Sequence, residues 1–208
     1  MNLRLSWLLA MLLPVVWACK GSDGTLRSGD LIFCVAQNSN MSDAIVDATH
    51  TADSVQYDHV AIYLEVNDTP MVIEAVPKYG VVTRPFADFM EDNQAGISVR
   101  RVAKPIDIEA AIARARQFEG QPYDWSFRPD NGRMYCSELV YYSFLDSAGN
   151  PIFEAAPMNF RDASGNLPQF WIDLFNRLGE DVPEGIPGTN PNTMIADPAL
   201  IEVSTHVK

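Results

Sequence analysis

The sequence is short of basic residues, cysteine and histidine, and each shortage excludes a class of function. Lys plus Arg number 15 against 27 Asp plus Glu, a net charge of −12 over 208 residues. No basic patch is present to neutralise a phosphate backbone, so nucleic acid is not an expected partner. Three cysteines and three histidines, with no CxxC pair and no HExxH, leave little for a zinc site. No metal or organic cofactor is expected. The apolar run from Leu5 to Ala18 falls short of the about 20 residues that a membrane-spanning helix needs. After Thr25 there is no internal repeat, low-complexity tract or charge block to mark a second domain. What is present is 47% hydrophobic, 10% aromatic and 20% charged residues, the make-up of one folded domain with a core.

Arg4 followed by Leu5–Ala18 has the pattern of a secretory signal, to be set apart from the fold. Its end, Val16-Trp17-Ala18-Cys19, resembles a bacterial lipobox, in which the cysteine is lipidated and becomes the mature N-terminus. Ordinary cleavage, with Cys19 incidental, is the alternative. The expected organisation is a lipoprotein signal peptide over 1–18, a tether over 19–25 and a single domain over 26–208. The protein is expected to be exported, held by its lipid in the cell envelope, and monomeric. In that setting Cys34 and Cys136 can form one disulfide or leave a reactive thiol.

Gly29-Asp30 leads into an apolar strand, Leu31 to Val35, and Ser42 is placed to cap a short helix over Asp43–Thr49. His59–Val66 and Met71–Val76 are β-rich runs around the hairpin signal Asn67-Asp68-Thr69-Pro70. Val81–Thr83 and Ile97–Val102 add strands. Asp107 caps an amphipathic helix with Ile108, Ala111, Ile112, Ala115 and Phe118 on one stripe, stopped by Gly120. Further helices are expected from Cys136 to about Asp146 and near Pro168–Leu178. The stretch Pro183–Pro198 reads as extended loop, before a last strand at Leu200–Val203. Strands in the first half and helices in the second give an α+β domain with a mainly antiparallel sheet.

Cys136 opens a helix, where the dipole and the free N–H groups favour thiolate, the nucleophilic form. The same N–H groups can hold an oxyanion. A small buried residue is the other reading of such a cysteine. On its strand, His59 shares a face with Ala61 and Tyr63, opposite Val60, Ile62 and Leu64. If Asn67-Asp68 is a two-residue turn, Val66 pairs with Thr69 and Ala61 with Glu74, so Glu74 lies diagonally beside His59. A three-residue turn puts them on opposite faces. A carboxylate inside Val72-Ile73-Glu74-Ala75-Val76 needs a partner, and His59 can be one. His50 and His206 read as solvated. Asp124, with Trp125, can shape a cleft, and Tyr57 can assist at an oxyanion or a substrate amine.

Five segments occur in one order: Gly29-Asp30-Leu31-Ile32-Phe33, Asp58-His59-Val60-Ala61-Ile62-Tyr63, Val72-Ile73-Glu74-Ala75, Gly120-Gln121-Pro122-Tyr123-Asp124 and Tyr135-Cys136-Ser137-Glu138-Leu139-Val140-Tyr141. Together they resemble the circularly permuted branch of the NlpC/P60 papain-like superfamily, the YiiX/YaeF-like amidases. The resemblance runs from about Arg27 to Val140, with the stretch at 187–192 similar to the family's C-terminal loop. It implies a permuted papain-like fold in which the His strand precedes the Cys helix. It also implies Cys136 as nucleophile, His59 as general base and Glu74 as the residue that orients His59. Cys34 departs from the family pattern and would line the site if that strand end borders it. The implied activity is hydrolysis of an amide, in a peptide or an N-acyl amine, with cell-wall peptides one option. Two rivals stay open: a lipid or thioester acyltransferase, and a non-catalytic binding module with Cys34 and Cys136 joined.

Overall fold

In the computed structural model, which describes residues 25–204, the alternating apolar runs of the first half become strands. They are β1 (Leu31–Val35), β2 (Tyr57–Val66), β3 (Thr69–Val76), β4 (Gly80–Pro85) and β5 (Ile97–Val102). With β8 (Leu200–Val203) they form one sheet of order β4-β3-β2-β1-β5-β8, in which every pairing is antiparallel. The helices are α1 (Asn40–Thr49), α2 (Phe86–Asp92), α3 (Ile108–Gln117), α4 (Cys136–Ser143), α5 (Gln169–Leu178) and α6 (Pro191–Ile195). A short two-stranded pairing joins β6 (Ala156–Pro157) to β7 (Pro187–Gly188). Residues 1–18, read above as a signal segment, Cys19, residues 20–24 and His206 lie outside the described residues.

The two faces of the sheet are covered unequally. Val60, Ile62 and Leu64 of β2 face the larger core, built with Ala111 and Ala115 of α3, Leu139 and Val140 of α4, and Trp171 and Phe175 of α5. Ala61 and Tyr63 face a smaller cluster with Ile32, Cys34 and Phe89 of α2. The period-two alternation of β2 thus sorts its side chains between two cores. The turn between β2 and β3 has two residues, Asn67 (φ 50°) and Asp68 (φ 59°), both in the left-handed region that short polar residues tolerate. The register follows: Val66 opposes Thr69, Leu64 opposes Met71 and Ile62 opposes Ile73.

Local signals misplace some boundaries. The cap of α1 is Ser39, whose Oγ accepts the Ser42 N–H at 3.1 Å, so Ser42 lies inside the helix instead of capping it. β2 begins at Tyr57, before His59. Helix α4 stops at Ser143 because Phe144 is extended and its carbonyl accepts the Ile152 N–H. The expected loop at 183–198 contains β7 and α6, the latter capped by Asn190, whose Oδ1 accepts the Thr193 N–H, with Pro191 in the first turn. Helix α2 is seven residues long and starts after Pro85 with no side-chain cap, which leaves it no sequence signature.

Candidate active site

The site forms where the sheet opens. β2 runs back to Tyr57 and β3 on to Val76, yet their mutual ladder ends at Ile62–Ile73. Beyond it, each strand is held by its outer neighbour: His59 opposes Cys34 of β1, and Glu74 opposes Val82 of β4. Between the parted strands His59 Nε2 stands 2.5 Å from Glu74 Oε2. Cys136 arrives from the α4 side, close enough for its sulfur to act on the His59 ring and help push the imidazole up. With Nε2 engaged by Glu74, Nδ1 is the ring nitrogen left for the thiol.

Cys136 is the first residue of α4, and the first intrahelical bond there runs from the Leu139 N–H to the Tyr135 carbonyl at 3.0 Å. The N–H groups before it belong to the helix start that the dipole makes electropositive. Cys136 is 6% exposed and His59 17%, so the pair is sheltered but reachable. Burial pulls the imidazole down; the hydrogen bonds to Cys136 and Glu74, and the negative charge on both, outweigh it and push His59 up to about 10. Burial alone would raise Glu74, but the bond to protonated His59 and the Arg84 charge hold its carboxyl below the usual range.

Arg84, on β4, is the member of this network that the sequence reading missed. Its Nε lies 2.5 Å from Glu74 Oε1 and its Nη1 2.5 Å from Asp92 Oδ2, while the guanidinium sits 5.7 Å from the Phe89 ring centroid. Since Val72 opposes Arg84, the same diagonal logic that places Glu74 beside His59 places Arg84 beside Glu74. Asn192 was also missed. Its Oδ1 accepts the Tyr57 N–H at 2.7 Å and its amide donates to Thr49 Oγ1 at 2.9 Å, pinning α6 to the start of β2.

Two cavities meet at the Cys136–His59 pair, sharing Ile45, Asp58 and Tyr123. One, about 310 Å³, carries Cys136 and is walled by Phe127, Met158, Phe160 and Trp171. The other, about 340 Å³, carries His59, Glu74 and Arg84 with Gln37, Asp92 and Asn93. The three residues expected to bind substrate line neither cavity. The Tyr57 hydroxyl is bonded to Ser98 Oγ at 2.8 Å. Asp124 is fully buried and organises its own loop, accepting the Ser126 N–H, the Ser126 hydroxyl and the Arg128 N–H. Cys34 is fully buried, free like Cys136, and burial pushes its thiol well up. His50, expected in solvent, is exposed at the rim of the apolar cavity.

The chain matches, over residues 25–204, the family described as permuted papain-like amidase enzyme, YaeF/YiiX, C92. It is 30% identical over 182 residues to the uncharacterized protein YiiX of Escherichia coli K12, covering 86% of each chain. The crystal structure of the metalloprotein yiiX from Escherichia coli O157:H7 superposes with a TM-score of 0.70 at 28% identity, covering 86% of this chain and 97% of that one. In the present chain, among the described residues, no group of three or more His, Cys, Asp or Glu is placed to hold a metal ion, so the side chains here do not fit one. The six-stranded antiparallel sheet, the order of its histidine strand and cysteine helix, and these matches agree: the chain belongs to the permuted papain-like amidases of the YaeF/YiiX family.

Proposed function

We propose that the protein is a cysteine amidase in which Cys136, His59 and Glu74 act as a triad on an amide with an apolar acyl part. The observation that carries this is the His59–Glu74 bond at 2.5 Å, with Cys136 at the start of α4 beside the imidazole it acts on. The Cys136 thiolate attacks the carbonyl carbon, and the oxyanion is received by the first N–H groups of α4. The C–N bond then breaks as His59 gives its proton to the leaving amine. A water, deprotonated by His59, attacks the acyl-enzyme, and the thiolate leaves as the carboxylic acid is released. Glu74 keeps the imidazole oriented and stabilises its charged form.

The apolar cavity beside Cys136 supports an acyl group with a hydrophobic chain. It also gives the second reading its support: transfer of that acyl group, from a lipid ester or thioester, to an acceptor other than water. The two free cysteines speak against the binding-module rival, which needs Cys34 and Cys136 joined. Export and lipidation at Cys19 would place this chemistry at a membrane surface of the cell envelope.

The test is labelling of the purified protein with an acyl-chain chloromethyl ketone, followed by peptide mapping and assay of an N-acyl amide. Label on Cys136, with hydrolysis lost in Cys136→Ala, is the expected result. Label on Cys34 instead, or hydrolysis retained by Cys136→Ala, overturns the assignment.

A further inference from the structure

We infer that the polar cavity on the His59 side receives a cationic leaving amine and that Asp58 selects it, an inference that rests on the amidase reading above. The two cavities are not equivalent with respect to the reaction. A departing nitrogen must collect its proton from His59, and His59 lines the polar cavity, whereas Cys136 lines the apolar one. The acyl part therefore extends past Cys136 into the apolar cavity, and the amine part past His59 into the polar cavity. Asp58 lines both, so it stands at their junction.

The charges in the polar cavity are unbalanced. Asp58, Glu74 and Asp92 face Arg84 and His59. Glu74 is taken up by His59 and Arg84, and Asp92, 67% exposed, shares Arg84. Asp58 accepts the Gln37 backbone N–H at 3.3 Å, and among the described residues no basic side chain is paired with it. A second acceptor is available on α1. Ser42 lines this cavity, is 4% exposed, and its Oγ has no hydrogen-bond partner among the described residues. A serine inside a helix can turn its hydroxyl back to the carbonyl one turn earlier; Ser42 does not. A carboxylate without a cation and a buried hydroxyl without a partner, in one cavity, match an ammonium group with several N–H donors. Substrates of this kind are N-acyl derivatives of diamines or of basic amino acids.

The test uses two amides that share an octanoyl group, mono-octanoyl 1,4-diaminobutane and octanoyl pentylamide, which match in length while only the first carries an ammonium in its amine part. Calorimetric binding of the two amides to Cys136→Ala reads the cavity without turnover. The diamine's amide is expected to bind about tenfold more tightly, the scale of one hydrogen-bonded charge. Adding Asp58→Asn should bring the two amides to within about twofold, and adding Ser42→Ala should cost the diamine's amide a smaller factor, about threefold. Wild-type kcat/KM for the two amides should follow the same order. Equal binding of both amides, or a preference that survives Asp58→Asn, overturns the cation site even if both amides are cleaved. Failure of the wild type to cleave either amide overturns the amidase reading instead, and with it the assignment of the bound amine part as a leaving group.

Discussion

Glu74 is the side chain where burial and charge are most opposed. It is fully buried, and an ionised carboxylate there is tolerable only because His59 Nε2 and Arg84 Nε each lie at 2.5 Å. Glu74→Gln keeps the shape and loses the charge that stabilises the imidazolium. It should lower kcat by about 10- to 100-fold, less than His59→Ala, since general acid–base catalysis contributes about 100- to 10,000-fold. Steady-state assays on folded variants decide the order. Arg84→Gln removes the other cation from Glu74, so the acid limb of the pH–rate profile should move to higher pH and the urea midpoint of the variant should fall. Stability should vary with pH through two groups held above their ordinary values. His59, pushed to about 10, stabilises fully below its ordinary 6.5, and that contribution fades as pH rises through 10. Glu138, in the first turn of α4, is pushed up to about 8 by burial and by the charges of Asp124 and Asp130, against the N–H of Tyr135. Its share is fully present below 4.5 and lost as pH rises through 8. Urea midpoints should therefore fall between pH 5 and 10, and Glu138→Gln should flatten the part below pH 8 only.

At the scale of elements, the junction of the two cavities depends on how β4 is seated. Gly80 begins β4 with φ +68°, and a Cβ there would press into the Gln121 carbonyl. This close approach lets the Val81 N–H donate to the Gln121 carbonyl and the Gly120 N–H to the Val81 carbonyl, both at 2.9 Å. The loop so fixed leads directly to Tyr123, which lines both cavities. Gly80→Ala meets strain from φ and a clash with backbone at once, so it should destabilise by about 2 kcal/mol or more. The measurement is the urea midpoint of the variant, and an unchanged midpoint would show that the loop can retreat. Gly120→Ala is the control: its φ is +85°, but a Cβ there meets nothing within 4 Å, so its cost should be the smaller.

For the whole molecule, the question is where its chemistry takes place. No helix among the described residues is long and apolar enough to cross a membrane; the lipobox-like Val16-Trp17-Ala18-Cys19 offers a lipid anchor as one route to a membrane surface. Cys19→Ser should shift the protein from the membrane to the soluble fraction or stall its processing. Fractionation and gel mobility read this, and an unchanged result for both argues for ordinary cleavage. Such an anchor would set the apolar cavity near a source of acyl chains. A turnover that rises on vesicles for the anchored form but not for Cys19→Ser is the corresponding expectation.

Much of this was legible in local sequence because the physics involved is local. Asn67-Asp68 accepts positive φ at two successive positions, so of the two turn lengths the sequence left open the shorter one forms, and its register holds as far as Ile62–Ile73; the expected Ala61–Glu74 pair is not made, yet His59 and Glu74 meet. Cys136 at a helix start and the apolar stripe of α3 were equally readable. Arg84 needed the same counting carried one strand further, across the turn from Val76 to Gly80. Asn192 and the seating of Gly80 were not countable at all, since they join segments far apart in the chain. Neither was the parting of β2 from β3. His59 faces the smaller core by alternation and α4 packs on the larger one, so no pattern in either segment says that the thiol and the imidazole meet. Residue types, spacing and register are properties of short stretches of chain; the opening in the sheet, and the two unlike cavities on either side of it, arise only when the outer strands and helices pull those stretches apart.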